Sequence, residues 1–325
     1  MRKYPSWLTH CVAAGIVACV TAGTAVAQAY PAKPIRVIVP VPGGSGMDTV
    51  GRIALQKMGQ NMGANFVIEN MNRFTGPQAV ARAAPDGYTL MVNTESLPLI
   101  ALLGQAQGFD PMKDFQMFGT IARAVFILSV NPSVPVQSVE EFVLLAKSKP
   151  GALAYGTSGI GSPHHLVTEM FAEANGLQLL HVPFKGSSET VTALTAGTIQ
   201  FAMGLPSSFA PLVKAGKFRA LAVTSAKRTT AFPDIPTLAE RAVTPVEYES
   251  WWGLFAPSAT PRPVVERLHA ELGRVLADRA YIEGMLAKQG LEPFEQPSAA
   301  AAAALVRTYY DKLAPVVKKA GIKAG

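Results

Sequence analysis

The 325-residue chain is 49% apolar, carries a formal charge of +7, and has two cysteines, Cys11 and Cys19, both near its N-terminus. A core of this size needs no disulfide, and the cysteine-free remainder excludes a thiolate metal site. Basic residues spread along the chain without clustering, which excludes a nucleic-acid patch. At the start, Arg2 and Lys3 precede an apolar run from Trp7 to Val20, and small residues follow to Ala25-Val26-Ala27. That is the pattern of a secretory signal peptide, removed as residues 1–27, and the run is short for a membrane span. Ile16-Val17-Ala18-Cys19 offers a lipobox as the alternative, with Cys19 as a lipid anchor. Periplasmic export is the expectation, and loss of Arg2 and Lys3 lowers the charge from +7 to +5.

Beyond the leader, Ile35–Val39 reads as a buried strand, Met47 to Met62 as a helix, and Phe66–Ile68 and Tyr88–Val92 as further strands. The turn Pro85-Asp86-Gly87 introduces the last of these. Strands at Ala154–Gly156, Gln178–Val182 and Ala220–Val223 alternate with helices at Pro163–Asn175 and Ser187–Ala196. The C-terminal third is helical, with Pro261 and Pro263 at one helix start and an alanine-rich stretch at 299–304. Such alternation predicts an α/β fold with largely parallel sheets. Apolar runs at Phe126–Val130 and Tyr248–Ala256, each ended by a breaker, read as two passages between lobes. On that reading residues 28–130 and 249–325 form lobe 1, residues 131–248 form lobe 2, and a ligand cleft lies between them.

Three loops are candidates to line the cleft. In the first, Gly43, Gly44, Ser45 and Gly46 would expose backbone N–H groups at a helix start, a favourable place for a carboxylate. Asp48 in the same loop would repel an anion unless water intervenes, and it reads equally as a residue charging the first helical turn. The second loop offers Thr157, Ser158, Gly159, Gly161 and Ser162, followed by His164; it reads either as a carboxylate cradle or as a turn capped by Ser162. In the third, Lys185 is either a ligand cation or a solvated lysine.

The motifs Tyr30-Pro31-Ala32-Lys33-Pro34, Pro42-Gly43-Gly44 with Asp48, Pro85-Asp86-Gly87-Tyr88, Asp110-Pro111-Met112-Lys113-Asp114-Phe115, Tyr155 to Ser162, His181 to Gly186 and Trp252 to Pro257 occur in an order that resembles the Bug-type (TctC-like) receptors of tripartite tricarboxylate transporters. The resemblance covers nearly all of the chain after the leader. It implies a two-lobed type II periplasmic-binding-protein fold, closure over a small organic carboxylate, and delivery to two integral membrane transporter subunits. It also implies contacts from the first and second loops, some through water; a monomer without cofactor is expected.

Departures from the family pattern bear on the ligand. Glu69-Asn70-Met71-Asn72-Arg73-Phe74-Thr75-Gly76 replaces a glycine-richer run, and Gly204 stands where many members carry an Asp. An apolar wall of Phe74, Phe201 and Phe209 beside Gly204 is expected to admit a bulkier acid, aromatic dicarboxylates included. Enzymatic readings lack their motifs. Gly44-Ser45-Gly46 has no third glycine of a dinucleotide fingerprint, and Gly156-Thr157-Ser158-Gly159-Ile160 lacks the last glycine of a nucleophile elbow. His164, His165, His181 and His269 show no metal-ligand pattern, so neither catalytic nor metal residues are expected. A sensor feeding a two-component kinase would use the same binding chemistry and stays open as the alternative to transport.

Overall fold

The structure is a computed structural model and describes residues 30–229, 232–241, 243–287 and 290–319; the expected leader, Cys11 and Cys19 lie outside these residues. The strands are β1 (Ile35–Val39), β2 (Phe66–Asn70), β3 (Thr89–Thr94), β4 (Phe115–Val125), β5 (Ile127–Val130), β6 (Ala154–Thr157), β7 (Leu180–Pro183), β8 (Phe201–Gly204), β9 (Arg219–Val223), β10 (Glu249–Pro257) and β11 (Glu292–Pro293). The helices are α1 (Gly46–Met62), α2 (Thr75–Ala81), α3 (Ser96–Leu102), α4 (Val139–Ser148), α5 (Pro163–Asn175), α6 (Ser187–Ala196), α7 (Pro206–Lys214), α8 (Arg262–Ala277), α9 (Arg279–Leu286) and α10 (Ala299–Lys319).

They build two sheets, ordered β11-β4-β10-β3-β1-β2 and β7-β6-β8-β5-β9. β1 pairs in parallel with both β2 and β3, and β6 with both β7 and β8. The strands that carry the chain between sheets run antiparallel to their neighbours: β10 against β3 and β4, β5 against β8 and β9. Burial explains the apolar run of β1. Ile35, Val37 and Val39 pack with Ile53 and Met58 of α1 on one face, while Ile38 meets Met91 and Phe255 on the other. Strands covered on both faces lose polar alternation. Ser45 caps α1 by accepting from Asp48 N–H, and Gly63 closes it at φ 61.

The chain leaves the first sheet at Val125 and enters the second at Ile127. The strand Ile127–Val130, which the sequence reading left on the lobe 1 side of residue 130, therefore pairs inside the second sheet. Thr224 ties the two passages together. Its Oγ1 accepts from Phe126 N–H at 2.9 Å and donates to the Tyr248 carbonyl at 2.6 Å. Its backbone N–H donates to the Phe126 carbonyl, and its carbonyl accepts from Tyr248 N–H, each at 3.0 Å.

α10 departs from the expectation that residues 249–325 belong to lobe 1 alone. Ala302 and Val306 pack in the cluster of Trp251 and Phe255, whereas Leu313 and Val317 pack in the cluster of Leu238 and Tyr248. A 2.8 Å pair from Lys319 Nζ to Glu173 on α5 fastens its far end to the second sheet's helices. Among the described residues no helix is long and apolar enough to cross a membrane.

Candidate functional site

Between the sheets lies a cleft of about 290 Å³. Its first-lobe side is formed by Pro40 and Val41 at the end of β1, Met47 in the first turn of α1, Asn93 closing β3, and Ser96, Leu99, Ile100 and Leu103 around α3. Arg73 and Gln105 stand at the polar rim, joined by an Nη2–Oε1 hydrogen bond of 3.1 Å. The second-lobe side is Ser158, Ile160, Gly161, Ser162 and Pro163. The cleft thus lies at the C-terminal ends of β1, β3 and β6, where open α/β sheets place ligands.

The second-lobe loop is held from below. Ser162 caps α5, its Oγ accepting from His165 N–H at 3.3 Å, with Pro163 in the first turn. Gly161 N–H donates to His165 Nδ1 at 3.1 Å, and Ser158 Oγ lies 3.0 Å from His164 Nδ1. Burial lowers the pKa of both His164 and His165 to about 4, so near pH 7 each ring is neutral and His165 can accept from Gly161. Gly161 takes φ 73, and a Cβ on it would lie 2.7 Å from Leu103 Cδ1 of the other lobe. The lobes therefore touch at this point, and only glycine fits.

The sequence candidates separate into those that reach the cleft and those that do not. Ser158, Gly161 and Ser162 line it. Thr157 does not: it is fully buried, with Oγ1 2.7 Å from His181 Nε2 and bonded to the Gly159 carbonyl at 3.2 Å. Gly159, at φ 124, and half-buried His164, packed edge-on against Phe126 at 5.1 Å, shape the loop without lining the cleft. Lys185 is exposed and lies outside the cleft lining; its backbone N–H caps onto Glu189 at 3.1 Å.

Within the first glycine loop the expected donors turn away. Gly43, Gly44 and Asp48 border a separate open depression with Arg52 and Met285, while Ser45, the cap of α1, and Gly46, its first residue, lie outside the cleft lining. Asp48 is a brace. Its buried carboxylate accepts from Gly44 N–H at 2.8 Å, Arg52 Nε at 2.9 Å and Asn70 Nδ2 at 3.0 Å. Burial alone would raise its pKa, but these bonds and the Arg52 charge hold it at about 2. Of the two sequence readings of Asp48, the structural one accounts for all these contacts.

Sequence reasoning missed Arg73, Asn93, Ser96 and Gln105. Arg73 is the cation among the lining residues, and it fell in the segment already noted as departing from the family pattern. The expected aromatic wall is absent from the lining. Phe201 packs on Phe142 at 4.8 Å in the second core, and Phe209 on Phe218 at 5.1 Å. Gly204 leaves room for Phe209 rather than for a ligand, since a Cβ there would sit 2.2 Å from that ring. Phe74 is half-buried and stacks under the Arg73 guanidinium at 4.9 Å.

Two sheets joined by paired crossings, with a cleft lined from both sides, define a two-lobed solute-binding protein. Residues 50–322 match the model of the tripartite tricarboxylate transporter family receptor, and the chain belongs to that family, which is one of periplasmic binding proteins and not of enzymes. It is 30% identical to Protein BugT of Bordetella pertussis over 86% of each chain. Among solved structures it resembles an adipate-bound R. palustris protein, with 32% identity, TM-score 0.76, and coverage of 90% of this chain and 99% of the other. It also resembles MatC of Rhodopseudomonas palustris with bound malate, with 27% identity, TM-score 0.72, and coverage of 89% and 100%.

Proposed function

We propose that this protein captures a small aliphatic carboxylate in the inter-lobe cleft and hands it to the membrane subunits of a tripartite transporter, with lobe boundaries near Phe126 and Tyr248. The observation that carries this reading is the pairing of unlike walls: Arg73 on one lobe faces a cavity whose other lobe presents Ser158, Ser162 and the start of α5. A guanidinium and a helix start with hydroxyls are two separate sets of donors to carboxylate oxygens. Between them, Val41, Leu99, Leu103 and Ile160 supply aliphatic surface suited to a methylene chain. Adipate and malate in the related structures are acids of this kind and fit a cavity of about 290 Å³.

A thermal-shift screen of aliphatic and aromatic acids tests the reading. A ligand at 100 times its dissociation constant stabilises by about 2.7 kcal/mol, and the recovered acid should be chemically unchanged. Stabilisation by C4 to C6 aliphatic diacids is expected; preference for phthalate over all of them would overturn the aliphatic assignment.

A further inference from the structure

The crossing strands separate the ligand cleft from a second inter-lobe cavity, of about 400 Å³, on the opposite flank of the hinge. Sheet order establishes the placement: β11 and β4 border this cavity, whereas β3 and β1 border the cleft, with β10 between. Its walls come from both lobes. Val125 and Leu291 face α7 with Pro206 and Ala210, and Phe232 adds an aromatic surface. At one rim Gly290 takes φ 66, and a Cβ there would meet Ser207 N at 2.9 Å and Pro206 Cβ at 3.0 Å. The lobes thus abut on this flank as they do at Gly161 and Leu103 on the other.

Three charged residues, Arg123, Lys214 and Glu292, also line it. Exposed Lys214, in the last turn of α7, pairs with no carboxylate among the described residues. Arg123 reaches Glu249 at 3.4 Å and Glu292 at 3.6 Å, yet its buried Nε has no hydrogen-bond partner among the described residues. A cavity of this size, with apolar walls and several polar and charged side chains at its rim, has the mixed character of a small-molecule site.

We propose that this cavity is a second binding site, for an amphipathic monoanion of the acyl-carboxylate class, with its chain against Phe232, Pro206 and Leu291 and its carboxylate at Lys214. Because the cavity and the cleft flank the same hinge, rotation that opens one narrows the other. The lobes already touch across the cleft at Gly161 and Leu103, so an occupant propping the rear cavity at its present width resists front opening. By linkage, a ligand in the front cleft and one at the rear favour each other.

Octanoate is the probe. Titrated into the full exported chain, it should bind the wild type, lose about ten-fold in affinity in Lys214→Ala, and fail to bind Ala210→Trp, which fills the cavity. It should also slow amide hydrogen exchange at Ile160 and Gly161 several-fold in the wild type and not in Ala210→Trp. Arg73→Ala, which alters only the front cleft, should leave octanoate binding intact; this keeps the outcome separate from the proposed carboxylate reading of the cleft. No octanoate binding at 10-fold excess over a millimolar constant, or equal binding by wild type, Lys214→Ala and Ala210→Trp, would overturn the proposal. Melting curves of the two variants confirm that each is folded, and Lys214→Ala, at an exposed position, carries the test if the tryptophan variant does not fold.

Discussion

Two neighbouring residues in the second-lobe loop, chemically alike, serve different ends. Thr157 is fully buried and its hydroxyl is bonded beneath the loop, whereas Ser158 opens on the cleft. Removing Thr157 Oγ1 leaves His181 Nε2 without its partner, so Thr157→Ala should lower stability by about 1–2 kcal/mol, read as a drop in melting temperature. Ser158→Ala takes the partner from His164 Nδ1 and should lower the melting temperature similarly, but it should also weaken acid binding about ten-fold in a titration, an effect Thr157→Ala should not share. Equal loss of affinity in both variants would contradict the division. Glu95, just before the cleft residue Ser96, is fully buried; burial pushes its pKa to about 7 despite hydrogen bonds from Ser250 Oγ and Trp251 N–H. A carboxyl whose folded pKa lies above its unfolded value of 4.5 stabilises fully below pH 4.5 and loses that contribution as pH rises through about 7. Urea denaturation should therefore show wild type losing stability relative to Glu95→Gln between pH 4.5 and 7, by an amount on the order of 3 kcal/mol. A constant difference across that window would show that Glu95 is ionised throughout.

At the scale of elements, the hinge rests on four hydrogen bonds converging on Thr224. Thr224→Val keeps the shape and removes two of them, stranding Phe126 N–H and the Tyr248 carbonyl in the interior. A loss of about 1–3 kcal/mol is expected in urea denaturation, and wild-type stability would show that the side-chain bonds to the crossings are dispensable. The same elements show what a sequence encodes. Ser162 before Pro163 and Gly176 after Asn175 fix the ends of α5, because capping chemistry is local, and this helix is legible to the residue. Phe126–Val130 was legible as an apolar strand but not as a member of the second sheet, since an apolar run reads alike whichever partner it joins. The glycines at 43–46 announce exposed N–H groups without saying which way they point. Arg73 was invisible as a site residue for the same reason: nothing in its neighbours specifies that α3 will lie opposite.

For the whole molecule, α10 works as a strap whose two halves belong to different cores. Leu313 is fully buried in the second-lobe cluster although the helix starts against the first sheet. Leu313→Ala should cost about 2–5 kcal/mol and show as a lower melting temperature; a variant as stable as wild type would mean that the strap is peripheral. The strap and the hinge hold the lobes in register, so the cleft can present a cation from one lobe and a helix start from the other to a single ligand. Calorimetric titration of C4 to C6 aliphatic diacids into wild type and Arg73→Ala measures what that arrangement contributes. At least one acid should bind the wild type, and Arg73→Ala should weaken it ten- to a hundred-fold at unchanged melting temperature. Equal affinity in the two proteins, or no binding of any of these acids to the wild type, would contradict it.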